Sequence, residues 1–396
     1  MNVPKLRFKE FNDEYNNVKL KEVAEIYDGT HETPNYIEQG VKFVSVENIS
    51  NLLDTKKYIS ESDFDNYKVK PKYNDVFMTR IGNIGTSSIY KSDEKLAFYV
   101  SLALLRSKNS NILVPDYLNQ YIKNNSFQKE LHNKTIHVAF PQKINTGEIG
   151  ECKINFCSDK EQIKIANFLS LLDKKIELQT KKIEDLKLFK KGLINILNKK
   201  SYQETTLGKI GKFQTSSIDK LVKENEKIVN LYNYMDVYKH KIIMTQDLSK
   251  LSKTSAKDNQ IITNNLKRGD ILFTPSSETP DDIGHSICIQ ENLPNTVYSY
   301  HLLRYRPNII IDPLFSNYYF NNSKIRKQII RYATGATRYT VSLDNFLKIK
   351  VDIPDLITQK KYGLLLYSTD KKVNKEMFKL NKLQELKKGL MQDMFV

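Results

Sequence analysis

The 396-residue chain has only three cysteines, Cys152, Cys157 and Cys288. They are too few and too unevenly placed for a disulfide framework, so a reducing compartment is expected. No run of eighteen apolar residues occurs, and the opening MNVPKLRFKEF has no apolar core of a signal peptide. A cytoplasmic protein with no membrane partner follows as the expectation. A phosphate-binding loop is missing too. Gly208-Lys209-Ile210-Gly211-Lys212 has neither the spacing nor the hydroxyl that a nucleotide–magnesium site needs, which argues against ATP hydrolysis.

Other constellations that carry chemistry are incomplete. Asp312-Pro313-Leu314-Phe315 resembles the tetrapeptide with which amino-methyltransferases hold a flipped adenine, but Leu314 replaces its second proline and no glycine-rich S-adenosylmethionine loop accompanies it. An aspartate capping a helix with proline in its first turn explains it better. Glu151-Cys152-Lys153 and Pro280-Asp281-Asp282 offer two halves of a metal-dependent nuclease signature, but they lie far apart in the chain. His285 and the cysteines are too sparse for a four-ligand zinc site and read as a loop histidine and buried thiols. A Cys–His nucleophilic pair would lack an oxyanion-type glycine loop. No catalytic residue, metal site or cofactor is assigned to this chain.

Positive charge is present in excess: 62 Lys and Arg against 46 Asp and Glu, a net +16. A polyanionic partner is favoured, although lysine-rich codon usage accounts for part of the excess. The motif KKGL occurs twice, at Lys190–Leu193 and Lys387–Leu390, 197 residues apart (387 − 190). At that offset nine of the twenty-one positions from Asp173 to Leu193 are identical, Asp173-Lys174-Lys175 falling on Asp370-Lys371-Lys372. Upstream, Tyr121 falls on Tyr318 and Asn124-Asn125-Ser126 on Asn321-Asn322-Ser323. Leu104-Leu105-Arg106 matches Leu302-Leu303-Arg304, Lys72 and Asp75 match Lys267 and Asp270, and Leu20 matches Leu207. The offset drifts with loop length while the order of landmarks is kept, so the chain is one tandem duplication.

Each repeat has two textures. Leu169, Leu172, Ile176, Gln179, Ile183, Leu186, Lys190, Leu193 and Leu197 step by three and four, the pattern of a coiled-coil seam. Leu366, Thr369, Val373, Glu376, Leu380, Leu383, Lys387, Leu390 and Met394 repeat it, with polar interruptions at the same steps. Polar seam residues set register between partners, so the two helices are expected to pack on each other. The remainder, about 18–156 and 205–353, consists of short apolar runs bounded by Gly, Pro, Asn and Asp, which are strand and turn signals. The expected fold class is α+β: two tandem-repeated globular domains separated by two long antiparallel coiled-coil helices, with pseudo-two-fold symmetry. The expected domains are residues 1–157 and 201–356, with spacer helices at 158–200 and 357–396.

The opening Pro4-Lys5-Leu6-Arg7-Phe8, with Phe11 and Leu20, and the ending Lys387-Lys388-Gly389-Leu390-Met391-Gln392-Asp393-Met394-Phe395-Val396 resemble the DNA-specificity subunit of bacterial type I restriction-modification systems. So do Gly29-Thr30 with Thr33-Pro34, Asp75-Val76, Gly269-Asp270-Ile271-Leu272 and Gly335-Ala336-Thr337-Arg338. Tyr15 stands where that family usually has Trp, and Thr135-Ile136-His137-Val138-Ala139-Phe140-Pro141 has no Gly-x-x-Arg. The resemblance implies two target-recognition domains, each reading half of a split site in double-stranded DNA. It also implies separate methyltransferase subunits, two in number, and restriction subunits, on which S-adenosylmethionine, ATP and magnesium would act. On that reading, helix 169–197, roughly 40 Å at 1.5 Å per residue, is a ruler of the order of one DNA turn, about 34–36 Å. The alternatives are a single-chain DNA-modifying enzyme and a coiled-coil scaffold.

Candidate DNA contacts are Thr337, Arg338 and Tyr339 after Gly335, and Arg80 and Asn83 flanking Gly82, because a small residue beside a cation in a turn permits close approach to a phosphate or guanine edge. Thr30 and Thr33 join them through the resemblance. Leu172, Ile176, Ile183, Leu186, Leu193, Val373, Leu380, Leu383 and Leu390 are the expected helix seam.

Overall fold

The computed structural model describes residues 3–199 and 202–395. The chain divides into two compact units, residues 1–180 with 378–396, and residues 181–377. Each long helix therefore contributes one part to each unit.

Both units have the same strand order. In the first, a four-stranded antiparallel sheet runs Ala24–Asp28, Leu102–Ser107, Val76–Thr79, Ser87–Ile89. In the second it runs Gly211–Thr215, Leu303–Pro307, Ile271–Phe273, Ser286–Cys288. Each unit adds a three-stranded mixed sheet, around Val41–Val44 in one and Lys227–Tyr232 in the other. Every residue of Val76–Thr79 and of Ile271–Phe273 is buried, which is why these runs are apolar without alternation.

The repeated Lys-x-x-Asp is the turn that launches those strands. Asp75 Oδ2 accepts from the Lys72 amide at 2.7 Å and Asp270 Oδ2 from the Lys267 amide at 2.8 Å. The residues before them, Asn74 and Gly269, hold φ of 75° and 90°, a conformation that Asn and Gly tolerate best. Each aspartate also takes two bonds from one arginine. Arg106 Nε and Nη2 lie 2.8 and 2.6 Å from Asp75, and Arg306 Nε and Nη2 both lie 2.6 Å from Asp270.

That pairing corrects the alignment of the repeats. Arg106 corresponds to Arg306, two residues beyond the expected Arg304. A slip of two along a strand keeps every side chain on its face, so the apolar pattern could not reveal it. Likewise Asn124 caps the helix Asn125–Asn133 as Asn322 caps Ser323–Arg331, one residue beyond the expected match. Tyr319, rather than Tyr318, takes the place of Tyr121: their hydroxyls accept from the Asp352 and Asn155 amides at 2.9 and 3.0 Å.

The long helices run Asp159–Lys199 and Leu356–Met394, so the first starts ten residues before Leu169. That extension belongs to the first unit's core, where Ile165, Ala166 and Leu169 pack with Tyr117, Tyr121, Met391, Met394 and Phe395. The Phe395 ring is 5.5 Å from Tyr117 and 5.4 Å from Tyr121. Arg7 clamps the buried Glu161 through Nε and Nη2 at 2.9 and 2.8 Å, and Tyr15, in the tryptophan's place, adds a hydroxyl at 3.3 Å.

Ile183 and Val373 are buried, and Leu172, Ile176, Leu186, Leu193, Leu380, Leu383 and Leu390 are at least half-covered, while neighbours such as Leu171, Leu178 and Phe378 are exposed. In each unit the helix segments run antiparallel. In the second, Lys182 pairs with Glu376 at 3.3 Å and Lys190 with Asp370 at 2.6 Å. In the first, Lys387 pairs with Asp173. The KKGL lysine of one helix thus meets the Asp-Lys-Lys aspartate of the other, twice over.

Candidate nucleic-acid interface

In the second unit, the loop after Ile271–Phe273 and the loop 334–340 lie side by side, with Ser276 paired to Thr340 and Ser277 to Tyr339. Thr334 and Thr340 exchange two backbone hydrogen bonds of 2.9 Å, closing the second loop. Gly335 turns it at φ 142°, where a Cβ would stand 2.1 Å from the Arg338 carbonyl oxygen, so only glycine fits. Thr337 and Arg338 are exposed and Tyr339 is half-buried. Arg338 Nη2 donates to Ser276 Oγ at 3.1 Å, which aims the guanidinium without enclosing it.

Arg338 borders a cleft of about 560 Å³ that also has Lys220, His301, Tyr234, Met235 and Tyr238 on its walls. Tyr234 and Tyr238 stack with centroids 6.0 Å apart, and the Tyr234 hydroxyl donates to the Ser276 carbonyl at 3.1 Å. Burial, together with the charges of Arg338 and Lys220, holds His301 below the usual histidine range. Glu278 and Asp282 stand on the same walls and offset Lys220 and Arg338, while the aromatic rings suit stacking with bases. At its edge, Asp282 Oδ1 accepts from His285 Nε2 at 2.8 Å, and Arg326 donates to the Asp281 carbonyl at 2.7 Å. The Pro280-Asp281-Asp282 turn is thus committed to structure.

The first unit places its expected residues differently. Arg80 is 6% exposed. Its Nη1 donates to Asp28 Oδ1 at 2.7 Å and to the Val100 carbonyl at 3.0 Å, and its Nε to the Ile144 carbonyl at 3.0 Å. The expectation that Arg80 touches DNA is therefore corrected: it ties three segments together from inside. Asn83 is exposed, with Nδ2 donating to Thr86 Oγ1 at 3.2 Å. Thr30 is half-buried, its amide bonded to the Phe98 carbonyl at 3.1 Å, and Thr33 is exposed. Gly29 packs against the backbone of Tyr99, 2.5 Å from where its Cβ would lie. The cleft beside it, about 670 Å³, mixes Lys68 and His31 with Asp28 and Glu32. Thr30 and Arg80 are joined through Val100, whose amide donates to the Thr30 carbonyl at 2.9 Å and whose carbonyl accepts from Arg80, while Asn83 sits by another loop, 136–143, through the Gly82 amide and the Gln142 carbonyl at 2.8 Å.

The other readings of single motifs hold. Asp312 Oδ1 accepts from the Phe315 amide at 2.9 Å with Pro313 opening the helix. Glu151 pairs with Lys19 at 2.6 Å and also with Lys21. All three thiols are buried, which pushes Cys152 and Cys157 up to about 12. Among the described residues no group of three His, Cys, Asp or Glu could hold a metal ion, and no helix is long and apolar enough to cross a membrane. Sequence reasoning did not single out the cleft residues Lys220, Tyr234, Tyr238 and His301; the two tyrosines share the helix Tyr234–Tyr238, but Lys220 and His301 lie outside it with no shared motif.

Residues 12–188 match the family model for the type I restriction modification DNA specificity domain. Over its whole length the chain is similar in fold to the S subunit of the type I restriction-modification system from M. genitalium: 16% identity, 100% of this chain and 99% of that one, TM-score 0.60. It is also similar to a chain solved in a study of complex assembly and conformational transition of the type I R-M system, with 11% identity, 97% and 99% covered, and TM-score 0.53. The class defined by the matched segment is a DNA specificity domain. That match covers residues 12–188, a little under half of the chain, and the two solved structures show that the whole chain shares the fold of type I restriction-modification S subunits.

Proposed function

We propose that this chain recognises a bipartite DNA site, each globular domain reading one half, and directs adenine methylation or restriction there by partner subunits. The observation that carries this is the exposed Arg338, held on a glycine turn at the edge of a cleft walled by Tyr234 and Tyr238. Thr337, Arg338 and Tyr339 are the contacts proposed for the second unit, and Thr30, Thr33 and Asn83 for the first. The domains are taken as 1–157 and 201–356 and the spacer helices as 158–200 and 357–396; of these limits, residues 1, 2, 200, 201 and 396 lie outside the described residues. The length of the helices is taken to set the gap between half-sites.

Two methyltransferase subunits and the restriction subunits are the proposed partners, supplying S-adenosylmethionine, ATP and magnesium chemistry in the cytoplasm. Leu171, Leu178, Leu188, Phe189 and Ile196 form exposed apolar surface on the first long helix, outside the seam. Such surface on a charged helix suits partner helices. The test is a genome-wide map of methylated adenines with and without this gene. One split motif should vanish on deletion; an unchanged map would overturn the proposal.

A further inference from the structure

The loop that resembles nothing in the family's pattern occupies the place of the Arg338 loop. Ile144 donates to the Arg80 carbonyl at 3.0 Å as Val341 donates to the Pro275 carbonyl at 3.0 Å. Ile81 bridges to Lys143 as Ser276 pairs with Thr340, and the Ile136 amide closes on the Lys143 carbonyl at 2.8 Å as Thr334 closes on Thr340. The two units thus build one loop on one scaffold. In the second it ends in an arginine. In the first it ends in Val138-Ala139-Phe140, with Val138 98% and Phe140 104% exposed.

An apolar tip held fully in water costs free energy unless something covers it. Polar and basic residues surround it. Lys134 and Lys143 flank the loop, and His137 bonds to the His132 carbonyl at 2.9 Å with the two rings 4.5 Å apart. Its stem is fixed by the bond from Gly82 to Gln142 and by Arg80 beneath Ile144. Lys134 is paired with Glu148 at 3.4 Å, which leaves Lys143 as the exposed cation beside the tip. A fixed stem, a nearby lysine and a bare aromatic tip match the side chains with which DNA-bending proteins part stacked bases.

We propose that Val138 and Phe140 form an apolar wedge that enters a base step of the half-site read by the first unit. This inference rests on the DNA-recognition reading above. Partly unstacking a flexible step would let the unit select sequence by deformability, where the second unit uses a cation. A phosphate contact would give salt-dependent affinity; a wedge gives affinity that salt leaves alone.

The test uses the full chain in complex with its methyltransferase subunits and duplexes carrying 2-aminopurine in turn at each step of the first half-site. With the wild type, one position should brighten on binding. Phe140→Ala should abolish that signal, weaken cognate binding roughly tenfold and leave the salt slope unchanged. Phe140→Leu should retain most of both, since leucine also serves as a wedge. Sequence-specific binding by the wild type with no brightening at any step, or an unchanged signal in Phe140→Ala, would overturn the wedge and leave the recognition reading standing. Loss of sequence preference in the wild type itself would overturn both.

Discussion

Arg80 and Arg338 each stand near a glycine-bearing turn, and their surroundings give them opposite work. Arg80 is enclosed and its bonds hold the Asp28, Val100 and Ile144 segments together, whereas Arg338 has one bond to Ser276 and faces solvent. Nothing local distinguishes them, because the partners of Arg80 lie 52, 20 and 64 residues away. Arg80→Ala should destabilise the first unit by about 2–3 kcal/mol, since buried carbonyls and a carboxylate lose their donor. Arg338→Ala should leave stability within about 0.5 kcal/mol. Denaturant melts of the two variants decide this; equal stabilities would refute the assignment. Histidine gives the second unit a pH dependence. His240, His285 and His301 are all held below the ordinary histidine value, chiefly by burial. The unfolded chain therefore takes up protons first, so their contribution is whole above about pH 6.5 and is lost as pH falls through the folded values. Melting temperatures between pH 7.5 and 5 should show the decline, and His240→Asn, which suits the φ of 51° there, should flatten it.

At the scale of elements, the three-four stepping of the long helices was legible because the seam is continuous and local. Ile183, Val373 and their neighbours are covered where the period put them. The seam stepping itself begins only at Leu169, since Ile165 and Ala166 are covered by the first domain's core and carry no seam signal of their own. Strand alignment was legible only to within a slip of two, for the reason that period two repeats itself. Of the polar interruptions of the seam, Glu376 pairs with Lys182, while Lys190 and Lys387 pair with Asp370 and Asp173, each aspartate braced by a residue of the adjoining domain. Tyr318 donates to Asp370 Oδ2 at 2.8 Å, and Gln120 donates to Asp173 Oδ2 at 3.0 Å. The KKGL lysine therefore sets helix register and fastens helix to domain. A double-mutant cycle on Lys190→Ala and Asp370→Ala should give a coupling of about 0.5–1.5 kcal/mol, modest because both groups remain partly in water. Additive single effects would mean that the pair does not set register.

At the scale of the molecule, duplication supplies two complete cores, and the two units have diverged most in the loops 136–143 and 334–340, where one shows an aromatic tip and the other an arginine. Shared cores with divergent loops are what independent reading of two half-sites requires. Replacing residues 205–353 by the same domain of a relative should therefore change one half of the recognised sequence and leave the other half and the gap alone. The graft leaves Leu197 and Tyr362 behind, both of which pack on the second unit's core, so the donor must carry apolar residues against them. It must also keep a donor to Asp370 at the place of Tyr318, a role that glutamine fills in the first unit. A graft meeting both conditions should melt within a few degrees of the parent and methylate a hybrid motif. Should both half-sites change in a well-folded graft, the two domains read DNA jointly, and the resemblance between their loops reflects descent alone.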